Sequence, residues 1–199
     1  MRLASIRLPG DVDRWIALGF DPDGDGRLRF GNGALDVGCE TRQLVVDPAD
    51  SVIVPGESID GIGVTCGVAT GGAAHPNGAL ELDHVVVMTD SIARTSRSIE
   101  DALGLEQRRI RETADVHQAF HRFADAGSTR GCIIELVENA SVDTATLWGL
   151  VVIVADLDAA VARASDLIGP PKPAVQPGRR ISTARREAGL GTAFALMDR

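Results

Sequence analysis

The chain has 199 residues and a formal net charge of −8, with an isoelectric point near 4.9. That acidic balance excludes a broad surface for nucleic acid or anionic membrane, and no apolar run approaches the roughly 20 residues of a membrane-spanning helix. The length allows one or two compact domains that bury roughly 70% of the unfolded surface.

In chain order, LASIRLPG is a strand and DVDRWIALGF a helical stretch that Asp11 can cap. GRLRFG and GALDVG are short strands around the turn Gly31-Asn32-Gly33. QLVV (43–46) and SVIV (51–54) are two further strand-like runs. Residues 69–78, ATGGAAHPNG, are small and Gly-rich, which marks a linker and places a domain boundary after residue 78. Residues 1–78 are therefore expected to form one degenerate module of βαβ type.

The stretch LDHVVVMTDSI, Leu82 to Ile92, has an echo in LWGLVVIVADLDAAV, Leu147 to Val161. Each is an apolar strand that leads through polar residues into an amphipathic helix. Landmarks repeat at a constant offset of 65 residues, Ser91 with Asp156 at the helix starts and Gly104 with Gly169 at the stops. Self-similarity of that period marks a duplicated supersecondary unit. After the first helix come EQRRIRE, HQAFHRFADA and GCIIELVE; after the second come AVQPGRR, ISTARREAG and GTAFALM. Each unit is expected to run strand, helix, three strands (79–140 and 146–199), and two such curved sheets side by side make a cup. The fold class is α+β: paired βαβββ modules in a cup-shaped mixed sheet, with a degenerate third module at the N-terminus.

The residues DHVVVMTDS, Leu103-Gly104-Leu105, FADAG followed by CIIELVE, and GLVVIVADLDAAV resemble the vicinal oxygen chelate superfamily, which includes glyoxalases, extradiol dioxygenases, epimerases and bleomycin-resistance proteins. The resemblance spans roughly the last 120 residues. It implies a cup that commonly holds one divalent metal, iron, manganese, nickel or zinc, and that chelates neighbouring oxygens of a small-molecule substrate. It also implies frequent homodimers. The superfamily's ligand positions, on the first and last strand of each module, fall on His84 and Glu135 in the second module. In the third they fall on Gly149 and Ala195, which cannot bind metal. Leu35-Asp36-Val37 matches Ile134-Glu135-Leu136, so Asp36 is a third metal ligand if modules one and two share a cup. Alternatively, two chains bring two His84/Glu135 pairs together.

Arg122, Trp148 and Arg180 are candidate ligand-binding residues: Arg122 near the His84/Glu135 pair, Trp148 at the cup mouth, and Arg180 in a basic hairpin that reads first as a charged sheet edge. Two functions follow from the resemblance. One is a divalent-metal-dependent lyase, isomerase or dioxygenase acting on a small oxygenated metabolite; the other is a metal-free small-molecule-binding protein of the resistance type. Other motifs carry less. Asp21 to Gly26 matches the start of a calcium-binding loop, but position 12 is Asn32, so an acidic turn is expected. His117 and His121 share a strand face and read as solvent-facing polar residues. Cys39, Cys66 and Cys132 are odd in number and without metal spacing, as expected of reduced thiols in a cytoplasm.

Overall fold

The computed structural model describes residues 1–48, 58–113 and 116–199; the strand expected at 51–54 lies outside them. The chain opens with β1 (Arg2–Leu8), α1 (Val12–Ala17), β2 (Arg27–Phe30), β3 (Gly33–Val37), β4 (Gln43–Asp47), β5 (Ser58–Ile59) and β6 (Ile62–Cys66). These strands form a six-stranded sheet in the order β2-β3-β1-β4-β6-β5. The Asp11 carboxylate accepts from the Asp13 N–H and caps α1, as its position before the helix led one to expect. The acidic stretch after α1 is a self-capping turn: Asp23 accepts from the Asp25 and Arg27 N–H groups and pairs with Arg29 at 2.6 Å.

The second half comprises β7 (Ala79–Thr89), α2 (Ile92–Leu103), β8 (Arg109–Glu112), β9 (His117–Arg122) and β10 (Ile133–Glu138), then β11 (Thr146–Val154), α3 (Leu157–Ala164), β12 (Lys172–Pro173), β13 (Arg180–Thr183) and β14 (Ala193–Met197). All eight strands join one sheet, β12-β13-β14-β11-β7-β10-β9-β8. In each module the first strand runs parallel to the last, β7 to β10 and β11 to β14, while β7 and β11 pair antiparallel where the modules meet. This is the expected α+β arrangement of paired βαβββ units. Ser91 and Asp156 cap α2 and α3, and Gly104 closes α2 in the left-handed conformation. The third module departs from its template: α3 stops at Ala164 and continues as a 3-10 turn over Ser165–Leu167, so Gly169 is no helix cap. ISTARREAG likewise keeps strand form only to Thr183 before a 3-10 turn at Arg186–Ala188.

The worn N-terminal copy extends further than one module. Strand for strand, β2-β3-β1-β4-β6-β5 repeats the inner six strands β9-β10-β7-β11-β14-β13, with the same parallel and antiparallel sense at every junction. Even the irregularity is repeated. The register slips between Leu3 and Ser5 opposite Val46 and Val45, and between Leu82 and His84 opposite Val152 and Val151. Ser5 thus occupies the place of His84, and Asp36, opposite Arg7, that of Glu135, opposite Val86.

The two sheets share one core. Leu3, Ile6, Leu8 and Leu35 of the first and Leu82, Val85, Leu150 and Leu196 of the second belong to a single buried cluster, together with residues of α1, α2 and α3. Each such side chain stabilises the fold by about 1.5–3 kcal/mol. Trp15, Phe20, Phe30 and Phe194 meet edge to face across the junction, with ring centroids 5.0–6.1 Å apart. The opposite faces, which carry Ser5 and Asp36 in one sheet and His84 and Glu135 in the other, lie outside that cluster. The segment expected to be a loose linker is pinned into it. His75 and Asn77 are buried; His75 Nδ1 accepts from the Asp21 N–H and its Nε2–H donates to the Arg29 carbonyl, while Asn77 donates to the Leu18 carbonyl. Glycine content signalled freedom, but buried polar groups that find partners fix this segment.

Candidate functional site

Residues directly opposite in a ladder share a face, so the register assigns the concave floor of the eight-stranded sheet. One row runs Arg122, Ile133, His84, Val151, Ala195. The next runs Arg109, Phe120, Glu135, Val86, Gly149. A third holds Arg111, Gln118, Val137 and Met88. His84 and Glu135 are therefore diagonal neighbours on adjacent parallel strands.

Their side chains form the middle of a hydrogen-bonded chain across the floor. Arg111 donates to Gln118 Oε1 at 3.3 Å, and Gln118 Nε2 donates to Glu135 Oε1 at 2.5 Å. Glu135 Oε2 lies 3.3 Å from His84 Nε2. His84 Nδ1–H donates to Asp83 Oδ2 at 2.7 Å, and Arg179 donates to the other Asp83 oxygen at 3.2 Å. The bulge at residues 82–84 brings Asp83 within reach of the ring beside it. Burial works to raise the Asp83 pKa, but the His84 and Arg179 contacts outweigh it and hold this carboxyl below its usual value. Glu135 goes the other way: burial raises its pKa, with His84 opposing and Asp83 adding to the rise. Asp83 is thus the fixed anion, and Glu135 is the carboxyl most disposed to carry a proton.

The floor is not evenly open. In the third module Val151, Ile153, Ala195 and Met197 are covered by Leu80, Ala174 and Ile181, so that half of the cup is filled. The remaining hollow, of about 1140 Å³, lies over the second module; Arg109, Arg111, Phe120, Arg122 and Ile133 line it, and Val175–Pro177 of the β12–β13 hairpin overhang it. It reaches the ladder partners of His84 and Glu135. Arg122 lines this hollow. Trp148 does not: it is 48% exposed and absent from the lining. Arg180 is a correction. Its neighbour Ile181 faces the floor, so Arg180 turns to the outer side, where it pairs with Asp158 of α3 at 3.0 Å and Asp198 at 2.9 Å. Arg179 is the hairpin arginine that reaches the site. His121 also differs from expectation. The shared parity with exposed His117 holds, but at residue 121 that face lies beneath α2, so His121 is fully buried against Ser96 Oγ (2.8 Å) and the Leu105 carbonyl (2.7 Å).

The paired βαβββ arrangement is the one that the resemblance to the vicinal oxygen chelate superfamily implies. No family model matches the chain, and no curated protein does. Among solved structures it is similar to methylmalonyl-CoA epimerase from Streptomyces coelicolor in complex with 2-nitronate-propionyl-CoA, at 16% identity and a TM-score of 0.49, over 59% of this chain and 95% of that one. It is similar to the epimerase from Mycobacterium tuberculosis at 16% identity and a TM-score of 0.49, over 61% and 89%. A hypothetical protein from Bacillus halodurans C-125 gives 14% identity and a TM-score of 0.49, over 60% and 94%. Likeness of that degree carries nothing about activity.

Gly149 pairs with Ala193 as His84 pairs with Ile133, which makes Ala195 the counterpart of Glu135. Neither offers a donor atom, and a Cβ at Gly149 would come within 2.8 Å of the Ala193 backbone oxygen, so the position has no room for a side chain. Asp36 is the counterpart of Glu135 in the other sheet and not its neighbour. Modules two and three share the cup, so the condition for a third ligand from module one is not met. Asp36 is instead neutralised where it stands by Ser5 Oγ at 2.6 Å and Arg27 Nε at 2.5 Å. Among the described residues no group of three or more His, Cys, Asp or Glu side chains could hold a metal ion. Two donors fall short of the three that catalytic metals ordinarily take from protein, so a resident metal does not fit the cup of one chain. Sequence reasoning missed Asp83, Gln118 and Arg179. Strand parity puts Gln118 on the face of Glu135's neighbours, but nothing local reveals a bulge or a hairpin folded over from 96 residues away.

Proposed function

We propose that this chain is a glyoxalase-like cup for a small oxygenated ligand, in which His84 and Glu135 share one proton and deliver it to, or take it from, a ligand oxygen. The observation that carries this is the line Asp83, His84, Glu135. The Nδ1–H is committed to the ionised Asp83, so Nε2 and the Glu135 oxygen opposite hold a single proton between them. Either group can act as acid while the other acts as base. Gln118 and Asp83 keep both rotamers in place from the two ends.

A second reading has its own support. A carboxylate behind the Nδ1–H of an imidazole is the usual outer-shell partner of a metal-bound histidine, and Asp83 stands there. A metal-dependent lyase, isomerase or dioxygenase would then need further ligands from outside this cup, such as the same pair of a second chain in a homodimer. One set of measurements separates the readings. Elemental analysis is made of protein purified without added metal, alongside imidazole nitrogen NMR of His84 in the wild type and in Glu135→Gln. The shared-proton reading expects no stoichiometric metal, an Nδ1–H proton bonded to Asp83, and an Nε2 resonance that Glu135→Gln displaces at fixed pH. Stoichiometric iron, manganese, nickel or zinc that His84→Ala removes would overturn it in favour of the second.

A further inference from the structure

The hollow beside the His84/Glu135 pair has a cationic wall that the acid–base pair does not use. Register places Arg109 and Arg111 on the inward side of β8 and Arg122 at the inward end of β9, all on the floor that carries Glu135. This is a concentration of guanidinium groups in a chain whose net charge is −8. Arginines on an edge strand often serve only to block pairing with another sheet, and such charges pair with nearby acids or point to solvent. Arg108 behaves that way: it lies 3.5 Å from Glu106, and both are largely exposed. The inward arginines do not. Among the described residues neither Arg109 nor Arg122 has a carboxylate within ion-pair distance, while Arg111 donates to the neutral Gln118 and acts on Glu135 through space. Arg109 instead lies over the Phe120 ring, 6.0 Å from its centroid. Of the two acids on the rim, Glu106 faces Arg108, and Asp125 accepts from the Gly131 N–H. The wall has unspent donors in planar forks, beside an aromatic face, in a concavity.

We infer that Arg109 and Arg122, with Arg111 behind them, seat an oxyanion of the ligand, a carboxylate or a phosphate group, on the second-module side of the cup. Guanidinium forks match both groups bidentately. Phe120 and Ile133, between the arginines and the acid–base pair, receive an apolar or ring portion of the same molecule. The filled third-module half closes the other direction, so the ligand extends from His84 toward β8 and not across the sheet. This deepens the proposed function, and rests on it for the reactive end of the ligand only; the oxyanion seat stands on the wall's own geometry.

The test uses the full chain with two probes, inorganic phosphate and benzoate, titrated by calorimetry and by amide chemical shifts against a chloride control. The expected result is saturable binding of at least one probe, with shifts at residues 109–122. Affinity falls at least tenfold in Arg109→Gln/Arg122→Gln at unchanged melting temperature, and falls with added salt. Phosphate alone, or benzoate alone, identifies which oxyanion the wall prefers. Absence of saturable binding of both probes, or binding that the double substitution leaves intact, overturns the inference. Arg97→Gln/Arg130→Gln, at exposed arginines outside the lining of the hollow, controls for charge alone and is expected to bind like the wild type; an equal loss there would also overturn it. Glu135→Gln separates the two claims. It is expected to displace the His84 Nε2 resonance at fixed pH while leaving oxyanion binding within threefold of wild type.

Discussion

Asn32, at the tip of the β2–β3 hairpin, grips the strand that carries His84. Its side-chain amide donates to the Leu82 carbonyl and to the Arg130 carbonyl, both at 2.8 Å, and its oxygen accepts from the Leu82 N–H at 2.9 Å. The β7–β10 ladder begins only at His84 and Ile133, so the backbone of β7 before that point would lack partners on this side. Gly31 N–H, bonded to the Leu80 carbonyl at 2.9 Å, and Asn32 supply them. The residue is 5% exposed, so water cannot replace it without rearrangement. Asn32→Ala deletes three hydrogen bonds worth about 1 kcal/mol each in net terms, which gives a loss of roughly 3 kcal/mol and, for a chain of this size, a fall in melting temperature of roughly 6–12 °C. Asn32→Asp keeps the shape and the accepting oxygen, but it loses both donations and buries a charge, so it should destabilise at least as much. Urea unfolding measures both, and amide hydrogen exchange at Leu82 locates the effect. A loss under about 1 kcal/mol for alanine, or an aspartate variant as stable as wild type, would refute the clamp.

Other outcomes follow from the same contacts. His75 and His121 are buried, and desolvation lowers the pKa of each below the ordinary 6.5. The unfolded chain therefore binds protons more readily, so stability is complete above about pH 6.5 and declines as pH falls below it; His121→Gln should flatten that slope in denaturant titrations at pH 7.5 and 5.5, and an unchanged slope would count against the assignment. Burial raises the Glu135 pKa, so the ionised carboxylate is a cost above the usual carboxylate range. Glu135→Gln should be at least as stable as wild type at pH 7, by thermal melting, with the difference shrinking in acid. Cys132 is fully buried and its thiol pKa is raised, whereas Cys66 is exposed. A thiol reagent should label Cys66 first and reach Cys132 only on unfolding. Gly149→Ala forces a methyl against Ala193 at 2.8 Å and should cost about 1–3 kcal/mol in denaturant unfolding.

The strand–helix units, the caps at Ser91 and Asp156, and the shared face of Glu135 with its strand neighbours were legible in the sequence, because periodicity and capping are local physics. So was the equivalence of Leu35-Asp36-Val37 with Ile134-Glu135-Leu136. Where Asp36 sits was not legible. Which modules share a sheet depends on how β7 pairs, and β11 wins that pairing over a distance no short-range pattern encodes. The same holds for His121: alternation assigns it a face, but α2, packed on that face, decides that the face is dry. Gly-rich residues 69–78 read as a linker because composition reports freedom in the unfolded chain and is silent on the buried partners of His75 and Asn77.

The sequence by itself thus determined the repeating unit and an imidazole and a carboxyl at matching strand positions. Only tertiary structure decided that these two side chains meet at 3.3 Å, that Asp83 and Arg179 lock the ring from behind, and that a hollow lies over the second module. The reason is physical. Local preferences fix each element's type and faces within a few residues, whereas the site is made by ladder register, a one-residue bulge and a hairpin folded over the sheet, each set by contacts between distant segments.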